Sequence, residues 1–166
     1  SKNSYCKSDA DPTPLVQNPG GVFTATDISG GGAVLQFLNA DSGTIDLSAS
    51  NPATYFVSYN SPGCPGDTGV QIQIFPSPFV TIGFSPDQVI CAGEEVTIQA
   101  GGADFYSIIV NNDSTNAQNS NSVTVDTLMF NTMVHVQGID DVTRCVGTAD
   151  SMLWVKPVPD GTPVIQ

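Results

Sequence analysis

Two stretches of this chain alternate between apolar and polar positions on either side of a corner. In Thr44-Ile45-Asp46-Leu47-Ser48, Ile45 and Leu47 share one face and the polar residues share the other. Past Asn51-Pro52, the run Thr54-Tyr55-Phe56-Val57-Ser58-Tyr59 resumes the alternation, with Tyr55, Val57 and Tyr59 opposite Phe56 and Ser58. A period of two over runs this short predicts half-buried strands. The same reading predicts strands over 22–26, 33–38, 70–74, 79–84, 89–91, 96–100, 105–110, 123–125, 132–136 and 152–155. It adds an edge strand over 13–16, where Pro14 is tolerable. Gly20-Gly21, Gly30-Gly31-Gly32, Ser85-Pro86-Asp87 and a polar stretch over 111–121 punctuate these runs. No apolar stripe of helical period survives beyond two turns, so the fold class is all-β.

Tyr55 opens its strand just past a polar corner, where a tyrosine ties together the two sheets of an immunoglobulin-like sandwich. An internal repeat extends that reading to the whole chain. Cys64 and Cys145 lie 81 residues apart, as do Pro76 and Pro157, and Pro78 and Pro159. In this register Ile74-Phe75-Pro76-Ser77-Pro78 falls on Val155-Lys156-Pro157-Val158-Pro159, and Thr54–Tyr59 falls on Asn131–Val136 after a four-residue shift. The Pro-Ser-Pro segment is extended and fits neither helix nor ladder. The expectation is two tandem antiparallel immunoglobulin-like β-sandwiches, 1–76 and 77–159, with 160–166 opening a linker toward a further domain. Ser1 stands where an intact chain carries Met, which reads as a processed or excised piece of a longer array.

The four cysteines sharpen this picture. Cys6, Cys64, Cys91 and Cys145 form no Cys-x-x-Cys pair, and the single His135 completes no zinc site. Widely spaced cysteines in even number point to disulfides and an oxidising, extracellular compartment. Sequence allows three pairings, and the repeat selects one bridge per unit, Cys6–Cys64 and Cys91–Cys145. Closing either loop adds about 4 kcal/mol by the chain-entropy estimate, which matters in a unit whose core is small.

Charge excludes partners. Four Lys+Arg against 16 Asp+Glu give a net charge of −12, which repels nucleic-acid backbones and anionic lipid. No apolar run approaches the length of a membrane-spanning helix, so membrane insertion is not expected. Catalysis of the Ser-His-Asp kind would rest on His135, which lies between Val134 and Val136 on an outward strand face. The acid pairs Asp9/Asp11, Glu94/Glu95 and Asp140/Asp141 sit in turns, and no phosphate-binding loop opens a helix. The chain reads as non-enzymatic. No cofactor is called for except calcium, for which Asp9, Asp11, Asp140, Asp141 and Asp160 supply hard oxygen ligands near unit ends. Phe56, Met133, Met152 and Trp154 fall on outward strand faces and form a candidate interaction surface.

The run Gly43–Tyr55, preceded by Tyr5-Cys6 and Gly20-Gly21-Val22-Phe23, resembles repeats of giant cell-surface adhesins of Bacteroidota, the gliding-motility adhesin and other type IX secreted proteins among them. Val89–Ile98 and the ending Val155-Lys156-Pro157-Val158-Pro159 resemble the companion Ig-like/PKD-like module. Thr132 stands where that module carries its corner Tyr, and Ile108 where it carries Trp. The resemblance implies an adhesive or stalk module on the cell surface, with neighbouring Ig-like domains as partners and a surface glycan or protein as ligand. It also implies O-glycosylation at Asp-(Ser/Thr) motifs, here Ser114, Thr127 and Ser151. Two other readings stand beside it. One is the self-associating subunit of an extracellular filament. The other is a carbohydrate-binding module of a secreted hydrolase, for which Tyr5, Tyr59 and Tyr106 would form the platform.

Overall fold

The computed structural model describes residues 3–16, 19–63, 68–111 and 120–158. The chain divides into two compact units, 1–77 and 78–166. All regular structure among the described residues is strand.

The first unit contains β1 (Ser4–Cys6), β2 (Val22–Asp27), β3 (Gln36–Asn39), β4 (Thr44–Asp46), β5 (Ala53–Asn60) and β6 (Thr68–Phe75). One sheet has the order β1-β6-β5-β2, and β3 pairs with β4 opposite it. β1 runs parallel to β6, while β5 is antiparallel to both of its neighbours. The predicted strand over 13–16 is an extended segment instead. It lies along β4, where the Ile45 N–H donates to the Pro12 carbonyl at 3.1 Å. Pro12 and Pro14 remove the reciprocal donors that a regular ladder needs.

Alternation puts the predicted side chains inside. Phe23, Leu35, Ile45, Leu47, Tyr55, Val57, Ile72 and Ile74 form the core. Tyr55 is fully buried, and its hydroxyl donates to the Asn51 carbonyl at 2.6 Å, closing the corner the sequence predicts. Burial, and secondarily the negative charge of Asp27, raise the Tyr55 phenol above its ordinary pKa.

The second unit contains β7 (Thr81–Ser85), β8 (Val89–Cys91), β9 (Val96–Gly101), β10 (Phe105–Val110), β11 (Ser122–Val125), β12 (Thr132–Ile139) and β13 (Val146–Lys156). Its sheets are β10-β12-β13-β8 and β11-β9-β7, with β8 parallel to β13. In both units the first strand of the larger sheet lies parallel to the last, and the two longest strands pair beside it. This is immunoglobulin-like topology. Thr132 replaces the corner tyrosine: its buried hydroxyl donates to the Phe130 carbonyl at 2.8 Å, and the neighbouring Asn131 carboxamide accepts the Val155 N–H at 2.8 Å. Ile108 is fully buried in a core with Ile90, Val96, Ile98, Val134, Val136 and Leu153. β13 begins six residues earlier than the pattern predicts, because Gly147-Thr148-Ala149-Asp150-Ser151 carries no large apolar residue to mark its period.

A pair of glycines fixes how the second unit begins. Gly138 and Gly147 face each other across β12 and β13. A Cβ on Gly147 would lie 2.0 Å from the Pro78 carbonyl oxygen, and one on Gly138 would lie 2.7 Å from Val80 and from Ala103. The segment after Ser77 therefore rests directly on bare backbone. Gly147→Ala is expected to destabilise the second unit by about 1–3 kcal/mol through overpacking. Urea unfolding followed by the fluorescence of Trp154, which lies in that unit, checks this; an unshifted midpoint would show that Pro78 yields without cost.

Candidate functional site

The cysteines do not pair as the repeat predicts. Cys91 is an exposed free thiol, whereas Cys6 and Cys145 are each disulfide-bonded. The Cys91–Cys145 bridge is excluded by strand direction. Cys91 lies beside Lys156 in the parallel β8–β13 pair, while Cys145 immediately precedes Val146 at the other end of β13. Eleven residues of extended strand separate those points by about 36 Å, against a Cα separation of about 4.4–6.8 Å in a disulfide. Cys64, and with it the predicted Cys6–Cys64 bridge, lies outside the described residues. With Cys91 free, one bridge per unit does not hold.

The acidic turn residues are engaged with backbone. Asp9 accepts the Cys6 N–H at 3.0 Å, and Glu94 accepts the Cys91 N–H at 2.8 Å, so both units enter their sheets through one kind of turn. Asp11 accepts the Leu47 N–H at 2.9 Å. Asp140 accepts from the Thr143 N–H and hydroxyl, each at 2.7 Å, and Asp141 meets Arg144 at 3.3 Å. Asp160 lies outside the described residues. Among the described residues, no three His, Cys, Asp or Glu side chains gather as a metal site.

Three turns hold their carboxylates in the charged form. The Ser29 hydroxyl, then the Ala33 N–H, lower Asp27 to about 2 and pin the triple-glycine loop. The Ala49 N–H and Ser48 hydroxyl lower Asp46, and the Thr143 N–H and hydroxyl lower Asp140. These are structural acids: hydrogen bonds to the charged form oppose proton uptake as the pH falls through the carboxylate range.

His135 meets Asp150 at 2.7 Å on the outward face of β12 and β13, where both side chains are substantially exposed. On that face Met133 is directly opposite Met152, and Trp154 lies beside Val89. Met133 and Trp154 are about half exposed, and Met152 is half-buried. Phe56 belongs to the first unit, where its ring lies over Gly69: a Cβ there would come within 2.3 Å of it. The exposed phenyl thus has a local structural role, covering a glycine on the neighbouring strand.

Tyr5 and Tyr59 both line a cleft of the first unit, while Tyr106 belongs to the second. Tyr59 packs on Phe23 with ring centroids 4.7 Å apart, and its hydroxyl accepts the Gly21 N–H. The Tyr106 hydroxyl is bonded to the backbone of Ala103. Thr127 is exposed in the loop after β11, whereas Ser151 is half-buried within β13 and accepts a hydrogen bond from Gln88 at 3.2 Å. Ser114 lies outside the described residues.

One concave feature stands out, which alternation did not predict. A cleft of about 600 Å³ in the first unit is lined by Tyr5, Pro14, Leu15, Val16, Val70 and Ile72 among others. Leu15 is 100% exposed and Val70 43% exposed. Such an open, apolar lining suits an extended apolar segment better than a polar small molecule. Its only sequence signal was the run Pro14-Leu15-Val16, apolar residues on an edge interrupted by proline.

No family model matches this chain, and no curated protein matches it. Among solved structures it is similar to the amphioxus IgVJ-C2 molecule at 12% identity, over 86% of this chain and 93% of that one, with a TM-score of 0.39. It is similar to the Clostridium thermocellum CbhA fibronectin(III)-like modules at 10% identity, over 100% and 95%, with a TM-score of 0.39. Drosophila N-cadherin EC1-4 is similar at 14% identity, over 93% and 47%, with a TM-score of 0.35. At such TM-scores these likenesses carry no functional argument, and the fold assignment rests on strand order.

Two predictions follow from the side-chain chemistry. Alkylation of the native chain should modify Cys91 and spare Cys6 and Cys145; peptide mapping decides, and a protected Cys91 would contradict its free, exposed state. Acid should destabilise the first unit through Asp27. Its depressed pKa means its contribution is whole above the unfolded value of 3.8 and is lost as pH falls through about 2. The melting temperature should drop across that window, and Asp27→Asn should be less stable at neutral pH and less acid-sensitive. Parallel profiles for the two proteins would refute this.

Proposed function

We propose that this chain is a non-enzymatic structural and adhesive module of a secreted bacterial surface protein, acting as a stalk or spacer in a tandem array. The observation that carries this reading is the reuse of one sandwich at an 81-residue step, each copy leaving its last strand through Pro-X-Pro. Arrays of this kind set reach by repetition, because each unit holds its own core. The likeness of 43–55 to repeats of giant Bacteroidota adhesins supports the surface, type IX secretion and gliding-motility setting. Disulfide-bonded Cys6 and Cys145 support an extracellular location.

The chemistry of the surface agrees with such a role. His135 and Asp150 meet in an open hydrogen bond on a sheet face, and the acidic turns hold backbone. A charge of −12 favours solubility and discourages indiscriminate packing. Of the described O-glycosylation positions, Thr127, exposed in its loop, is better placed for a sugar than the half-buried Ser151. Calcium bound at Asp9, Asp11, Asp140 or Asp141 would share carboxylates that already hold a backbone or side-chain partner through one oxygen.

The intact mass of the native polypeptide tests the array. A mass far above the 17.3 kDa of this chain is expected. A native mass near that value would replace the spacer with a complete small subunit.

A further inference from the structure

The outward face of the larger sheet in the second unit breaks its own pattern at one place. Successive rows across β12 and β13 pair Gln137 with Thr148, His135 with Asp150, and Met133 with Met152. The first two rows are polar, as a solvated strand face should be. The third sets two thioethers directly opposite each other, although methionine is not among the β-branched and aromatic residues that strands favour. Two of the chain's three methionines, its single histidine and its single tryptophan, Trp154, thus occupy neighbouring positions of one face.

The register brings these side chains within reach of one another. Directly opposed residues of an antiparallel pair have Cβ atoms about 4.5–5.5 Å apart, and diagonal neighbours lie about 7–8 Å apart. Met133 is opposite Met152, while His135 is two residues from Met133 on the same strand and diagonal to Met152. Methionine turns about three bonds and adapts to its neighbours. Neither thioether belongs to the core: Met133 is about half exposed and Met152 half-buried.

His135 is preset as a ligand. Its Nδ1 lies 2.7 Å from Asp150 Oδ1, and a carboxylate only accepts, so the neutral imidazole carries its proton on Nδ1. The lone pair stays on Nε2. A carboxylate behind a ligating histidine fixes tautomer and orientation and raises the basicity of the metal-binding nitrogen. Two neutral thioethers with one imidazole make a soft donor set. Such sulfur ligands select copper(I), whereas calcium takes oxygen, and zinc takes thiolate, imidazole and carboxylate. Trp154, two residues beyond Met152 and half exposed, offers an aromatic ring to a cation held there.

We propose that Met133, Met152 and the Nε2 atom of His135 bind one soft monovalent cation, copper(I) or its analogue silver(I), on the outward face of β12 and β13. Asp150 is the positioning residue. The site forms within one unit and stands whether or not the spacer role does.

Silver nitrate titrated into the full chain in chloride-free buffer tests this, after alkylation has blocked Cys91 and any other accessible thiol. The emission of Trp154 should change and saturate at one equivalent, and calcium and zinc should leave it as it was. In spectra of the methionine ε-methyl groups, Met133 and Met152 should shift while Met129, more exposed in the loop after β11, does not. Asp150→Ala should weaken silver binding by about 10–100-fold, and Asp150→Asn, which keeps an acceptor, by less. Met133→Leu and Met152→Leu keep the bulk and lose the sulfur. Each should cost at least as much affinity as Asp150→Ala, with unchanged circular dichroism. Absence of saturable binding overturns the proposal, as do three methyl groups that shift alike or full affinity in either leucine variant. So does a response to zinc that needs only His135 and Asp150.

Discussion

The parallel pairing of the short cysteine-bearing strand of each unit with that unit's last strand sets the rest of the architecture. β1 lies beside β6, and β8 beside β13, so the chain starts each larger sheet along the strand by which it leaves the unit. Parallel neighbours need a long crossover, and here the whole remainder of the unit supplies it. The entry turn is fixed by an acid three residues after the cysteine, Asp9 or Glu94, holding the cysteine's N–H. The strand after that turn must then enter the other sheet. The segment 12–16 and β9 both do so, each with a threonine bonded to a threonine across the sheet.

The same constraint explains which sequence readings succeeded. Inward positions such as Ile45, Leu47, Tyr55 and Val57 were legible because one face of each strand is buried, and burial leaves a period of two. The corner at Tyr55 was legible because a phenol needs a partner when buried, and Asn51 offers a carbonyl four residues back. In the second unit the same joint is divided between Thr132 and Asn131, two short side chains that leave no aromatic mark. The early half of β13 was illegible for a related reason, since glycine, alanine and serine show no alternation.

Cysteine pairing was misread because a repeat gives positions but not directions. Pairing an early cysteine with a late one within a unit presumes that both lie at one end of the sandwich. Cys91 and Cys145 lie at opposite ends of β13, a consequence of the parallel ladder that spacing along the chain does not reveal. The apolar cleft was hidden for a different reason. Pro14 marks its segment as an edge, but the groove beside it is built from side chains far apart in the chain, Tyr5, Val16, Val70 and Ile72, whose meeting no spacing encodes.

An open edge is a hazard that acidic surfaces and prolines temper. With 16 acids against four bases, copies of this chain repel at long range, so association depends on contacts of short reach and good fit. Pro12 and Pro14 spoil the ladder toward β4 by removing the reciprocal donors, which keeps that pairing to isolated contacts.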